Sequence, residues 1–138
     1  MHQPLHATAR FTRDEPDGDA GGNDVKVTCS PPCGDPKELH AFWDDLLGSD
    51  KAPASEAIAA ADDLAAADFG KAAEADEKAW IKESFELAEK SVYAGPVGDG
   101  KGPFTLTENY QKQSLDIAKK QIALAGARLA NLLNQALK

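Results

Sequence analysis

The chain contains neither a long hydrophobic run nor a cluster of basic residues. No apolar stretch in its 138 residues approaches 18 residues, which excludes a transmembrane helix. The 15 lysines and arginines are dispersed among 23 acidic residues. Because nucleic-acid affinity usually depends on clustered cations that displace phosphate counterions, charge alone argues against a strong DNA or RNA binder. A bound metal cation could reverse the sign locally, since it is often the largest charge in a site.

Bulky apolar side chains are scarcer than the hydrophobic content of 42% suggests, because 25 of the hydrophobic residues are alanine. The length is that of one domain with one core. We therefore predict a single domain over residues 1–138. It divides into a loop region at 1–48, which also holds the candidate metal ligands discussed below, and a helical region at 49–138.

Cysteine is also rare. The two cysteines, Cys29 and Cys33, are separated by Ser-Pro-Pro, which is not the spacing of a thioredoxin-like redox pair. A small disulfide that closes a loop in an exported protein is the preferred interpretation. Free thiols and a metal site remain alternatives, although a metal site would need two further ligands nearby. The first residues show no basic start followed by an apolar segment, so we do not expect a secretory signal within them.

The pattern of apolar residues predicts a mainly α fold. Residues 7–37 are expected to be irregular apart from a short strand at Val25–Thr28, which alternates apolar and polar positions. Helices are predicted at about 38–47, closed by Gly48, and at 55–67, 72–93 and 107–137. A loop rich in glycine (Gly98, Gly100 and Gly102) breaks the pattern. It lacks the spacing of a phosphate-binding loop, so we predict a flexible connector.

Each longer helix carries an apolar stripe that is predicted to face inward. We expect the 72–93 and 107–137 helices to pack antiparallel through these stripes. Gly126 interrupts the last helix, which costs about 1 kcal/mol relative to alanine, and close approach by another helix is the expected reason, with a hinge as the alternative. The three stripes consist of Ile58, Ala61, Leu64 and Ala65; of Ile81, Phe85, Ala88 and Val92; and of Leu115, Ala118, Ile122, Ala125, Leu129, Leu132 and Ala136.

Only three histidines are present, and two of them, His6 and His40, are candidate metal ligands. His40 and Asp44 are four residues apart, which places both on one face of a helix. With His6 they form a set of two imidazoles and one carboxylate that leaves a fourth zinc position open, as in catalytic sites. Pro4 lies between His2 and His6, so a continuous helix through both is not expected. An ordinary ion pair on the helix is the simpler interpretation of His40 and Asp44.

Three segments together resemble a known family. They are His2-Gln3-Pro4-Leu5-His6, the turn Gly21-Gly22-Asn23 and Leu39-His40-Ala41-Phe42-Trp43-Asp44. The chain is similar, over nearly its whole length, to the single-strand-specific zinc nucleases of the S-one/P-one (mung bean) type, which are also 3′-nucleotidases. The later residues that fit the resemblance are Trp80, Glu83, Ser84, Tyr93, Gln121, Ala125, Gly126, Arg128, Leu129 and Asn134.

The resemblance implies a mainly helical fold around three zinc ions, with one short β segment near the Gly-Gly-Asn turn. His6, His40 and Asp44 match the three protein ligands of one zinc, whereas His2 matches a motif position that is not a ligand. Asn23 matches a residue near the cleft, and Ala20 stands where the family usually has arginine. The implied substrates are single-stranded DNA or RNA and 3′-nucleotides, and the implied location is periplasmic or secreted.

The resemblance also implies further zinc ligands. The bridging aspartate of the family would fall immediately before Met1, so we expect the sequence to correspond to the C-terminal half of a longer enzyme. This chain would then complete at most one zinc site, have little activity alone and self-associate through an exposed surface. The alternatives are a lipid hydrolase related to the zinc phospholipases C, which share the fold, and a catalytically inactive helical fragment.

Overall fold

The computed structural model describes residues 2–34, 37–48 and 53–137. Within these ranges the protein is mainly helical, as predicted, and it has a three-stranded sheet where a single short β segment was expected. The strands are β1 (Lys26–Ser30), β2 (Lys37–Glu38) and β3 (Phe104–Thr107). The α-helices are α1 (Leu39–Asp44), α2 (Ala54–Asp62), α3 (Phe69–Ala72), α4 (Glu77–Leu87) and α5 (Glu108–Ala136). Turns of 3-10 helix cover Pro4–Ala7 and Asp45–Leu47, and a π-helical turn, Ala88–Val92, continues α4. No helix in these ranges is both long and apolar enough to cross a membrane.

The sheet has the strand order β2-β1-β3. Strand β1 runs antiparallel to β2 and parallel to β3, and its pairing with β3 extends from Val27–Phe104 to Ser30–Thr107. The predicted strand at residues 25–28 is thus present but shifted toward the carboxyl end. The sequence analysis predicted neither β2 nor β3. Strand β2 has two residues, too few to show an alternation, whereas the apolar–polar alternation of Phe104–Thr107 was a usable signal that was not interpreted as a strand.

The core lies where this sheet meets α1, the π-helical turn and the start of α5. Tyr110 connects these elements, because its hydroxyl donates to the Val92 carbonyl at 2.7 Å and accepts from Trp43 Nε1 at 3.3 Å. These bonds satisfy polar groups that would be costly to bury unpaired. The core therefore fixes α1, which carries two candidate ligands. Its members are Leu5, Val25, Val27, Leu39, Phe42, Trp43, Ala88, Val92, Val97, Leu106 and Tyr110.

The stripe predicted for the last helix does not face inward. Helix α5 begins at Glu108, close to the predicted start, with Thr107 as its cap, but its buried residues are Tyr110, Ser114, Gln121, Leu124 and Arg128. The predicted positions Ile122 and Leu129 are 47% and 56% exposed. Its most extensive packing is against α3 and the Asp45–Leu47 turn rather than α4. The apolar period identifies the helix correctly, but a period does not show which face the rest of the chain covers.

The stripes of the two earlier helices also need correction. Helix α2 ends at Asp62 and buries no residue, so Ile58 is 66% exposed. The predicted helix over 72–93 is broken, because α3 ends at Ala72 and the side chain of Asp76 caps a new start. Ala88 and Val92 are buried as predicted. Ile81 and Phe85 are partly exposed, and their neighbours Trp80 and Ser84 occupy the inner face.

The glycine positions singled out in the sequence behave differently from one another. No atom of the described chain outside the helix lies within 4 Å of a Cβ added at Gly126, so the neighbouring helix expected there is not among these residues. The Gly98–Gly102 loop is irregular, as predicted, but it is tethered rather than free. Arg10 donates to the carbonyls of Gly98 and Gly100 at 2.7 and 3.0 Å, and the Lys26 amide donates to the Lys101 carbonyl.

Cys29 and Cys33 form a disulfide, with their Cα atoms 5.4 Å apart. The bond links the end of β1 to the segment that follows it. This confirms that the two cysteines form a disulfide and removes both from consideration as metal ligands.

Candidate metal centre

Helix α1 presents His40 and Asp44 on the side that faces away from the core. Its apolar residues Leu39, Phe42 and Trp43 are buried, which turns the intervening positions outward. His40 Nε2 lies 3.5 Å from Asp44 Oδ2, one helical turn away. The spacing of four residues therefore has the geometric consequence that the sequence predicted.

The turn Pro4–Ala7 brings His6 to the same place. Pro4 and Leu5 are buried, while His6 points outward, stacks on the His40 ring at 5.1 Å and places its Nε2 3.6 Å from Asp44 Oδ1. The helical turn begins only at Pro4, so no helix joins His2 to His6, in agreement with the expectation from proline. His2 lies elsewhere and contacts Arg128 and Trp80.

His6, His40 and Asp44 each offer one ligand atom, and these atoms all lie within 4.8 Å of one another. Across the residues that the structure describes, this is the one group of three such side chains that meets that condition. Two imidazoles and a carboxylate suit a borderline-soft divalent ion such as Zn²⁺, and they leave room for a further ligand. The donor set therefore fits the metal that the sequence suggested.

The Gly-Gly turn orients His40. The Gly21 carbonyl oxygen lies 2.8 Å from His40 Nδ1, and because a carbonyl can only accept, Nδ1–H donates this bond and Nε2 is the ring nitrogen that faces the cluster. Gly21 adopts φ +64°, and an added Cβ would lie 2.9 Å from the Leu5 carbonyl oxygen. The turn thus requires glycine and supplies the outer contact that metal-bound histidines typically have.

Gln3 orients the Asp44 carboxylate, as the Gly21 carbonyl orients His40. The sequence analysis did not predict this role for Gln3. Its Nε2 donates to Asp44 Oδ1 at 3.0 Å, while its Oε1 accepts from the Leu5 amide. One side chain therefore both starts the turn that carries His6 and holds Asp44. The only signal for this role was the place of Gln3 within the His-Gln-Pro-Leu-His segment.

Asn23 closes the Gly-Gly turn rather than joining the cluster. Its Nδ2 donates to the Ala20 carbonyl at 2.8 Å, and Ala20 has the positive φ of 50° that this turn imposes. Asn23 thus stabilises the backbone that positions Gly21.

The environment favours neutral imidazole at His6. Burial is the largest influence and lowers the pKa of His6, and His40 lowers it further, against the opposing effect of Asp44. Neutral imidazole is the form that binds metal, so the ligand is available at neutral pH.

The fold and the cluster define a mainly helical protein with a histidine–carboxylate group suited to a metal ion. The family described as S1/P1 Nuclease matches residues 1–138, the whole chain. The chain therefore belongs to the S1/P1 nuclease family, a family of hydrolases, and the resemblance predicted from its motifs is confirmed. No match was found among curated proteins.

Proposed function

We propose that the chain binds one zinc ion through His6, His40 and Asp44, and that this centre serves phosphoester hydrolysis of single-stranded nucleic acid or 3′-nucleotides. Membership of a nuclease family supports the reaction class. The observation that carries the metal assignment is the convergence of the three side chains within 4.8 Å. When bound, zinc would act as a Lewis acid on phosphoryl oxygens and lower the pKa of water toward ~7.

Hydrogen bonds within the chain hold the candidate ligands in place without a metal. The Gly21 carbonyl fixes the His40 tautomer, and Gln3 sets the direction of the Asp44 carboxylate. His6 and Asp44 are exposed, so an ion and a phosphate group can reach them from solvent. Preorganised ligands lose less freedom on binding, which raises metal affinity.

We further propose that the 138-residue chain has little nuclease activity by itself. The family resemblance implies three zinc ions, whereas the described residues bring together one group of three ligands. In sites with several metals, one ion assists the attacking oxygen while another stabilises the leaving oxygen. A single metal ion cannot both assist the attacking oxygen and stabilise the leaving oxygen in this way.

Cleavage assays with zinc near pH 6 test the proposed reaction on single-stranded DNA, a 3′-nucleotide and a phosphatidylcholine dispersion. We expect at most slow cleavage of the first two, removed by EDTA and by His40→Ala. Fast zinc-dependent turnover that needs His40 would contradict the weak-activity proposal, and turnover that survives His40→Ala would contradict the site. Hydrolysis of phosphatidylcholine alone would favour the lipid hydrolase.

We also propose a periplasmic or secreted location, which the Cys29–Cys33 disulfide supports because such bonds persist in oxidising compartments. Thiol titration of the unfolded protein, purified without reductant from its native host, checks this. We expect no free thiol. Two free thiols per chain would contradict an oxidising location.

Self-association is the last proposal, and it concerns the exposed apolar face of α5. Ile122, Leu129 and Leu133 are each about half exposed along one side of this helix. Contiguous apolar surface on a soluble chain usually marks an interface. Sedimentation velocity should show dimers or larger species, and Leu129→Lys should shift them toward monomer. A wild-type chain that stays monomeric at ~100 μM would contradict this.

A further inference from the structure

Arg128 is a buried cation in the last third of α5, and the candidate metal cluster does not include it. The residue is only 3% exposed. Its guanidinium gathers three segments: Nη1 lies 2.9 Å from His2 Nε2, Nη2 donates to Glu83 Oε2 at 2.9 Å, and Nε donates to the Lys71 carbonyl at 3.2 Å. Its Cζ also lies 5.1 Å from the centre of the Trp80 ring.

This arrangement uses properties that only arginine has. The planar guanidinium donates in three directions at once and stacks on an aromatic face, whereas a lysine ammonium is a compact point charge. The Glu83 carboxylate, which also accepts from Lys71 Nζ at 2.7 Å, balances the buried charge. The contacts therefore form a rigid junction between α3, α4, α5 and His2.

His2 connects this junction to the candidate metal centre, because it directly precedes Gln3 in the chain. Because the guanidinium can only donate, His2 Nε2 must accept, and the ring is held in one orientation between Arg128 and Trp80. The next residue, Gln3, orients Asp44 and caps the turn Pro4–Ala7 that carries His6. The junction thus anchors the start of the segment that supplies one ligand and orients another.

We propose that Arg128 is a positioning residue of the metal centre, acting through His2 to hold Gln3 and His6 in register with α1. The inference rests on the proposed zinc-binding role of His6, His40 and Asp44. It assigns to His2 a function distinct from ligation: an acceptor for Arg128. If His2 contributed only packing, an apolar side chain of similar size could replace it, because no hydrogen-bond acceptor would be needed at this position.

Two substitutions at His2 separate these roles. His2→Gln keeps an acceptor for Arg128, whereas His2→Leu keeps the bulk and removes the acceptor. The change Arg128→Lys keeps the positive charge but removes the planar guanidinium that donates in three directions. Lys120→Gln is the control, because it removes a positive charge from α5 at an exposed position. Zinc dissociation constants are measured by competition with a chromophoric chelator, and circular dichroism checks folding.

Loss of an outer partner that contacts a metal ligand typically weakens metal binding 10–100-fold, and because Arg128 and His2 act one contact further out, the low end of this range applies. We expect about tenfold weaker zinc binding for His2→Leu and Arg128→Lys, and a change under about threefold for His2→Gln and Lys120→Gln. If Arg128→Lys does not fold, the two His2 variants decide. Equal zinc affinity of His2→Leu and the wild type would overturn the proposal.

A measurement without metal distinguishes failure of this inference from failure of the proposed function. The His6 and His40 rings stack at 5.1 Å, so protons of the two rings should give nuclear Overhauser effects in the metal-free chain. We expect these signals in the wild type and His2→Gln and their loss in His2→Leu. A wild type that shows them but does not bind zinc would refute the metal site and leave the junction intact. Their persistence in His2→Leu would refute the junction.

Discussion

Gly21 supports the candidate centre through its backbone alone. Its φ is +64°, and a Cβ added there would lie 2.9 and 3.1 Å from the Leu5 and Thr8 carbonyl oxygens, which leaves no room for a side chain. Gly21→Ala must therefore move either the His6 turn or the carbonyl that orients His40. We expect a loss of stability beyond the ~1–2 kcal/mol of the left-handed backbone and zinc binding at least ~10-fold weaker.

Gly95 is a matched control for that prediction. It has nearly the same φ, +65°, but no atom of the described residues lies within 4 Å of a Cβ added at this position. Gly95→Ala should cost only the backbone strain and leave zinc affinity unchanged. Urea titration and chelator competition give the two quantities. Equal effects of both substitutions on zinc affinity would show that crowding at Gly21 is irrelevant.

Two histidines make stability depend on pH. Burial lowers the pKa of His2 and of His6 below 6.5, with Arg128 contributing at His2. The unfolded chain therefore binds more protons than the folded chain just below pH 6.5, so their contribution is complete above about 6.5 and is lost as the pH falls. We expect the urea midpoint of the metal-free chain to be lower at pH 5.5 than at 7.5.

The double variant His2→Gln, His6→Gln provides the comparison for the pH experiment. Its urea midpoint should change less between the two pH values, because the groups with lowered pKa are gone. A wild-type midpoint that rises on acidification would contradict the assigned direction of both shifts.

At the scale of the secondary-structure element, α5 offers the sharpest test of packing. Leu124 is 4% exposed and Leu129 is 56% exposed, although the apolar period alone placed Leu129 in the core. Leu124→Ala should destabilise the chain by about 2–5 kcal/mol, and Leu129→Ala by less than about 1 kcal/mol. A larger loss of unfolding free energy for Leu129→Ala than for Leu124→Ala in denaturant titrations would contradict this packing and support the core position predicted for Leu129.

The elements show why some boundaries could be predicted and others could not. Gly48 as a stop and the start of the last helix near residue 107 were predicted from local signals, and the structure places helix ends at both points. The sheet could not be predicted in full because β2 has only two residues, and because β3 pairs with a strand more than 70 residues away, which no local pattern shows. The orientation of α5 depends on Arg128 and Gln121 being buried, which runs against the usual exposure of those residue types.

For the whole molecule, the candidate site is assembled from three distant segments. His40 and Asp44 could be paired from their spacing, whereas only the family resemblance joined His6 to them. Gln3, the Gly21 carbonyl and Arg128 act through hydrogen bonds that span up to 126 positions, and no sequence pattern marks such contacts. The division into regions 1–48 and 49–138 stays a prediction.

The charge of the whole chain, −8, also bears on how the centre would work. An acidic surface repels a polyanionic substrate, so binding of nucleic acid would depend on the positive charge that a metal brings to the site. The central claim is therefore that His6, His40 and Asp44 hold an ion.

Zinc stoichiometry tests that claim most directly. The chain is equilibrated with zinc at about ten times the protein concentration, passed through a desalting column and analysed for bound metal beside His40→Ala and the control His2→Gln. We predict one zinc ion per wild-type chain and per His2→Gln chain, and a value near zero for His40→Ala. No zinc on the folded wild type, or one ion retained by folded His40→Ala, would contradict the claim.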